Sequence, residues 1–224
     1  MHSLCPQKIT TVIFDLDGTL IDSAPSILAG LEIAINKSGL STAIPLTSCL
    51  IGPPLKDTLR GLLGEQENVD LDSLVSEFKA FYDTEGFKES IIYPGVQDLL
   101  NQLNQSNVSL YLATNKRLDP TLKIVEYFGW ATLFDGIYAI DKSKGAPFSN
   151  KASMIHALAQ IESIEPEYSL YVGDRFEDYE ASVANGIDAI IVDWGYGDIK
   201  NNEILTNIKK ASSPRELLGM ILGN

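Results

Sequence analysis

Cysteine is almost missing from this chain: Cys5 and Cys49 are the only two in 224 residues. Two isolated thiols cannot build a disulfide framework, and no Cys/His cluster offers a zinc site, so they read as ordinary free thiols in a reducing compartment. Positive charge is scarce as well. Seventeen Lys and Arg face thirty Asp and Glu, a formal net charge of −13. No local Lys/Arg cluster reverses it, and such a surface repels a nucleic-acid backbone. Long apolar runs are also lacking. None approaches the roughly 18 residues that a membrane-spanning helix needs. The opening stretch MHSLCPQKITTVIF shows no charged region followed by an apolar one, the mark of a secretory leader. The expectation is a soluble, cytoplasmic protein that binds neither nucleic acid nor membrane.

What is abundant is apolar residues, 45% of the chain, spread evenly enough to argue against disorder. That suits one α/β domain with room for a second small unit. Short apolar runs recur at TTVIF (10–14), VSLYLAT (108–114), FDGIYAI (134–140), YSLYVGD (168–174) and DAIIVDW (188–194). Amphipathic stretches lie between them, at Val96–Gln105, Asp119–Phe128, Lys151–Ile161 and Asp178–Asn185, and PRELLGMIL closes the chain. Strands alternating with helices predict βαβ units and a parallel sheet. Residues 22–90 differ. They offer helical patterns at Ala24–Lys37, Pro54–Leu63 and Leu71–Glu85 and no convincing strand. ESIIYPGV (89–96) reads as the return to the core, with Pro94-Gly95 as a turn before a helix. The expected architecture is a Rossmann-like parallel-sheet core, residues 1–21 and 91–224, with a helical insert of residues 22–90.

The chemistry gathers where strands end. In an open parallel sheet, ligands bind beyond the carboxyl ends of the strands. The first run ends in Asp15, Asp17, Gly18 and Thr19, the second in Thr114, Asn115 and Lys116, and the third in Gly173 and Asp174, with Asp178 four residues on. Lys151 opens a helix that Ser149 or Asn150 can cap. One sheet edge would thus collect several carboxylates, a lysine, and hydroxyl and amide donors. Crowded carboxylates repel unless they share a cation, and hard oxygen ligands combined with phosphate suit Mg²⁺. An aspartate can attack phosphorus, a neighbouring acid can protonate the leaving oxygen and then activate water, and the amides around Gly18 can hold phosphate oxygens.

The segments DLDGTL (15–20), Thr114-Asn115, Lys151 and GDRFED (173–178) resemble, in order and spacing, the four motifs of the haloacid dehalogenase-like hydrolases. The resemblance covers essentially the whole chain. IGPPLKDTL (51–59), YPGV (93–96) and WGYG (194–197) bring it closest to the phosphoglycolate phosphatase-like branch. It implies Asp15 as nucleophile and Asp17 as general acid/base, with the Asp17 backbone carbonyl a metal ligand. Thr114 would donate to the phosphoryl oxygen with Asn115 beside it, and Lys151 would neutralise nucleophile and phosphate. Asp174 would bind the metal, and Asp178 would bind it or stand just behind it. Gly18 and Thr19 complete the phosphate cradle. The insert would be a mobile helical cap. Members that cleave carbon–halogen bonds lack the second aspartate of the first motif, so Asp17 favours phosphoryl chemistry.

The expected activity is therefore Mg²⁺-dependent hydrolysis of a small phosphorylated metabolite, phosphoglycolate-like, by a monomer or homodimer. The alternatives are 5′-nucleotidase action on nucleoside monophosphates and phosphoryl transfer between sugar positions, as in β-phosphoglucomutase-like relatives. Lys56 and Arg60 sit one helical turn apart in the insert, either as solvated surface or reading the distal end of the substrate. Arg175 is expected to pair with a nearby acid, and Phe78, Phe81 and Tyr82 to form the core of the insert.

Overall fold

The first apolar run, β1 (Thr11–Phe14), lies at the middle of a parallel sheet. The computed structural model describes residues 8–66, 69–141, 147–197 and 208–223; Cys5 lies outside them. The other strands of the sheet are β4 (Ser109–Thr114), β5 (Gly136–Ala139), β6 (Ser169–Gly173), β7 (Asp188–Val192) and β8 (Lys209–Ala211). Their order is β5-β4-β1-β6-β7-β8, and every neighbouring pair is parallel. The chain leaves β1 toward one edge, then returns past it to build the other. This reversal is the place where doubly wound sheets bind ligands. It puts the ends of β4, β1 and β6 side by side, with Phe14 level with Leu112 on one side and Val172 on the other.

Side chains alternate between the two faces of a strand, and both faces here are covered, so the strands read as continuous apolar runs. Val12, Phe14, Leu110, Leu112, Leu170 and Val172 pack into one core. That core takes in α4 (Val96–Gln105), α5 (Leu118–Tyr127) and α8 (Pro214–Leu222). Ile13, Tyr111, Ala113 and Tyr171 face the other way, onto α6 (Lys151–Ile161) and α7 (Phe176–Val183). In α4 the buried residues are Val96, Leu99, Leu100 and Leu103, the spacing of a helix with one apolar stripe.

The segment after β1 forms a short strand β2 (Ile21–Asp22), then α1 (Ala24–Lys37), α2 (Leu55–Leu63) and α3 (Leu71–Tyr82). It returns through β3 (Ile91–Ile92), which pairs antiparallel with β2. The two connections of the insert are thus zipped together. Leu31, Leu59, Leu62 and Leu74 are buried and continuous with the first core. Among the described residues no helix is long and apolar enough to cross a membrane.

Four elements depart from the sequence reading. β8 has the sequence KKA and no apolar run to announce it, and β2 and β3 are two residues each. The third helix of the insert ends at Tyr82, short of Glu85. Leu112 lies fully buried in β4, so Leu112→Ala should cost about 2–5 kcal/mol in urea unfolding. Ile91 is 60% exposed, and Ile91→Ala should stay within about 0.5 kcal/mol of the parent.

Candidate active site

Asp15 follows the last residue of β1 and is held by its own backbone, whose amide donates to the Val172 carbonyl at 2.9 Å. Its carboxylate is buried. Oδ2 accepts from Lys151 Nζ at 3.0 Å, while Oδ1 has no partner. Lys151 is the first residue of α6, placed there by a reciprocal cap. Asn150 Oδ1 accepts from the Ser153 amide at 2.8 Å, and the Asn150 amide donates to Ser153 Oγ at 3.2 Å. The same ammonium donates to Asp178 Oδ1 at 2.5 Å. Burial opposes its charge, but Asp15 and Asp178 outweigh that and hold it protonated far above the usual lysine range.

Asp174 follows β6. Its Oδ2 accepts from the amides of Tyr196 at 2.7 Å and Gly197 at 3.2 Å, and its Oδ1 is buried without a partner. Asp178 folds back over Gly173, where any Cβ would collide with its carboxylate. Its Oδ2 accepts from the amides of Asp174 at 3.1 Å and Arg175 at 2.9 Å. Oxygens of Asp15, Asp174 and Asp178 lie within 4.8 Å of one another. Burial pushes the Asp15 carboxyl up to about 6, against the pull of Lys151 and with Asp178 and Asp17 adding to the rise. Burial, then Asp178 and Asp15, pushes Asp174 up to about 7.

Two buried carboxylate oxygens without partners, in a nest of three acids with one lysine, are what a hard divalent cation relieves. The donor set fits a divalent metal ion. Asp15 and Asp174 each offer a free oxygen. Asp178 has both oxygens taken, and its position suits an acid that orients Lys151 and the Asp174 loop.

Asp17 turns away from this cluster. Its Oδ1 accepts from Ser23 Oγ at 2.5 Å, and its two oxygens accept from Lys116 Nζ at 2.9 and 3.0 Å. Gly18 takes φ +82°, and a Cβ there would run into the Asp174 carboxylate. This is a close approach at a left-handed position that glycine alone meets at no cost. Thr19 is buried, and its Oγ1 has no partner. Thr114 ends β4 beside them. Its Oγ1 accepts from the Lys116 amide at 3.2 Å, leaving the hydroxyl hydrogen for another acceptor. Asn115 points to the insert, donating to the Gly52 carbonyl at 3.1 Å and to Glu177 Oε1 at 3.2 Å.

The structure therefore gathers Asp15, Gly18, Thr19, Thr114, Lys151, Asp174 and Asp178 at one sheet edge, with Asp17 and Asn115 on the side facing the insert. It does not bring Lys56 or Arg60 there. Lys56 pairs with Asp72 at 2.6 Å and Arg60 with Asp57 at 2.6 Å, all four at least half exposed. Arg175 reaches the insert rather than an acid, donating to the Cys49 carbonyl at 3.0 Å. Two contributors lie within stretches the sequence singles out but were given no role there. Lys116 adjoins the Thr114-Asn115 pair and ends up nearly buried on Asp17. Tyr196 lies within WGYG, and its hydroxyl accepts from the amides of Ser23 at 2.6 Å and Ala24 at 2.9 Å and donates to Asp22 Oδ1 at 2.7 Å.

Residues 12–192 match the family model for haloacid dehalogenase-like hydrolase. The chain belongs to that family. It is an enzyme, a hydrolase of the phosphoglycolate phosphatase-like branch. It is 34% identical over 218 residues to the tyrosine-protein kinase PtkA of Mycobacterium tuberculosis, covering 93% of this chain and 72% of that one. It is 29% identical over 197 residues to the phosphoglycolate phosphatase of Pseudomonas putida, covering 83% and 70%. The crystal structure of a predicted phosphatase from Clostridium acetobutylicum superposes with a TM-score of 0.83 at 27% identity, over 97% of this chain and all of that one.

An acid whose folded pKa is raised stabilises the fold when protonated. For Asp174 that contribution is complete below about pH 4 and fades as pH rises through about 7. In EDTA, Asp174→Asn should gain on the parent protein between pH 4 and 7, by an order of 2–4 kcal/mol. Thermal unfolding across that range reads the gain, and added Mg²⁺ should reverse its sign by stabilising the parent.

Proposed function

We propose that this hydrolase is a Mg²⁺-dependent phosphomonoesterase of small metabolites that works through an aspartyl-phosphate on Asp15. The observation that carries the reading is the divided Asp15 carboxylate. One oxygen is held by Lys151, and the other is buried and unpartnered, in a carboxyl clustered with Asp174 and Asp178. One carboxylate oxygen of Asp15 forms the bond to phosphorus while the ester P–O bond breaks, and the other is left for the cation. Asp17 gives its proton to the leaving oxygen, and then takes one from the water that cleaves the phosphoenzyme. Lys151 and the Thr114 hydroxyl meet the phosphoryl oxygens, and Ser23 and Lys116 fix the Asp17 carboxyl. A magnesium ion held by Asp15, Asp174 and the Asp17 backbone carbonyl would supply charge neutralisation for the transferring group. The insert acts as a cap that excludes water while the phosphoenzyme forms. An exposed, unpaired Cys49 fits an enzyme of a reducing compartment such as the cytoplasm.

A second reading has an observation of its own, the 34% identity to a tyrosine-protein kinase. There the phosphoryl acceptor would be a phenolic hydroxyl and the donor a nucleoside triphosphate. Phosphate release from phosphoglycolate, nucleoside monophosphates, sugar phosphates and pyrophosphate, set beside label transfer from ATP to a tyrosine-containing peptide, separates the two. The expected result is Mg²⁺-dependent phosphate release from one ester class, stopped by EDTA and by Asp15→Asn and cut about 10²–10⁴-fold by Asp17→Asn. Label transfer to tyrosine without ester hydrolysis would replace the first reading with the second.

A further inference from the structure

Helix α1 is not capped by its own cap residue. That residue is Ser23, and a serine there usually stands in extended backbone and accepts from an amide of the first turn with its hydroxyl. Ser23 has φ −104° and ψ 4°, and its side chain makes no cap bond. Its Oγ donates instead to Asp17 Oδ1 at 2.5 Å. The acceptor comes from the loop after β7. Tyr196 Oη takes the amides of Ser23 at 2.6 Å and Ala24 at 2.9 Å, and gives its own hydrogen to Asp22 Oδ1 at 2.7 Å. Ser23 is fully buried, so its amide depends on an acceptor within the protein. The phenol is fixed at its base. The Tyr196 amide donates to Asp174 Oδ2 at 2.7 Å, and a Cβ on Gly18 would come within 2.9 Å of the Tyr196 ring.

We infer that Tyr196 is a positioning residue for proton transfer by Asp17: its hydroxyl takes over the cap of α1 and so releases the Ser23 hydroxyl to hold the Asp17 carboxyl. The inference rests on the phosphatase reading above and deepens it. The backbone of Ser23 lies in a sparsely populated region, and two successive amides bonded to one phenol oxygen hold it there. Without that acceptor, Ser23 is free to return to extended backbone and cap the helix itself, which turns its hydroxyl away from Asp17. Lys116 cannot replace it. The ammonium bonds both oxygens of Asp17, at 2.9 and 3.0 Å, and so does not select between them. Ser23 bonds Oδ1 alone. It thereby fixes the rotation of the carboxyl and leaves Oδ2 as the oxygen to carry the proton.

The test is the dependence of kcat/KM on the leaving group. An alkoxide needs a proton to depart and 4-nitrophenolate does not, so only the first draws on a general acid. The probes are 4-nitrophenyl phosphate and the fastest of phosphoglycolate, glucose 6-phosphate and AMP, all with Mg²⁺. Tyr196→Phe should lower kcat/KM for the alkyl ester about 10- to 100-fold, and for 4-nitrophenyl phosphate less than about threefold. The ratio of the two values does not depend on how much of the variant is folded. Ser23→Ala should show the same selective loss, and the double variant should lose no more than Ser23→Ala alone, because the phenol acts through that hydroxyl. Half-saturating Mg²⁺ should not change, since Asp174 is held by the Tyr196 amide, which the substitution keeps. Equal losses on the two esters, losses that multiply in the double variant, or a shifted Mg²⁺ requirement would make the phenol a structural tie and overturn the inference while the phosphatase reading stands. So would a parent protein that turns over 4-nitrophenyl phosphate alone. Phosphate release from none of the four esters overturns both.

Discussion

One ammonium, that of Lys151, shared between two buried carboxylates is the interaction on which the site depends. Asp15 and Asp178 come from different ends of the chain, and both close on Nζ within 3.0 Å. A third acid, Asp174, stands inside the same 4.8 Å cluster with no cation bonded to it. Three carboxylates and one ammonium in a buried space leave an excess of negative charge that protein burial does not tolerate cheaply. The raised proton affinity of Asp15 and Asp174 is one expression of that excess, and an appetite for a divalent cation is the other. The sheet order creates the problem deliberately by setting the ends of β4, β1 and β6 next to one another.

The loop after β7 shows how the cluster is kept from relaxing. The amides of Tyr196 and Gly197 fix one oxygen of Asp174, so the other is left bare. Gly195 and Gly197 permit this because the loop lies against the backbone of Gly18 and Asp174, with no room for a Cβ at either position. The Trp194 indole donates to the Thr19 carbonyl at 3.1 Å. The Tyr196 hydroxyl then reaches the start of the insert at Ser23 and Ala24, and Ser23 in turn holds Asp17. A single tetrapeptide, WGYG, thereby ties the Asp174 carboxylate to the segment where the insert leaves the sheet.

Much of this was legible in the sequence because strand ends are legible. A continuous apolar run that stops in Asp, Thr or Gly-Asp states both that a strand is buried on two faces and that its tip is polar for a reason, as with Phe14-Asp15 and Gly173-Asp174. Lys151 was readable through the cap residue before it. What escaped has no such signature. β8 is held by pairing with β7 rather than by its own composition. Lys116 looks like any loop lysine until the fold sets it on Asp17. Lys56 and Arg60 show the converse. A helical spacing says which residues share a face but not where that face points, and here it points to solvent. Tyr82 belongs to the aromatic cluster of the insert, stacked on Phe78 at 5.1 Å, and nothing in the spacing tells that its hydroxyl would be left without a partner.

The four residues Thr114–Arg117 tie the insert to the site. Thr114 stays at the strand tip. Asn115 bonds the insert loop at Gly52, Lys116 bonds Asp17 and stacks its charge on Tyr82 of the insert, and Arg117 forks onto Asp83 at the end of α3. The residues that grip the insert thus alternate with those that face the reacting groups, on one short stretch of backbone. The Tyr82 ring and the Asp83 carboxylate of the insert both pack on this stretch. Each acid of the first motif has its own lysine. Lys151 holds Asp15 from the first residue of α6, while Lys116 holds Asp17 with its ammonium against the Tyr82 ring of the insert.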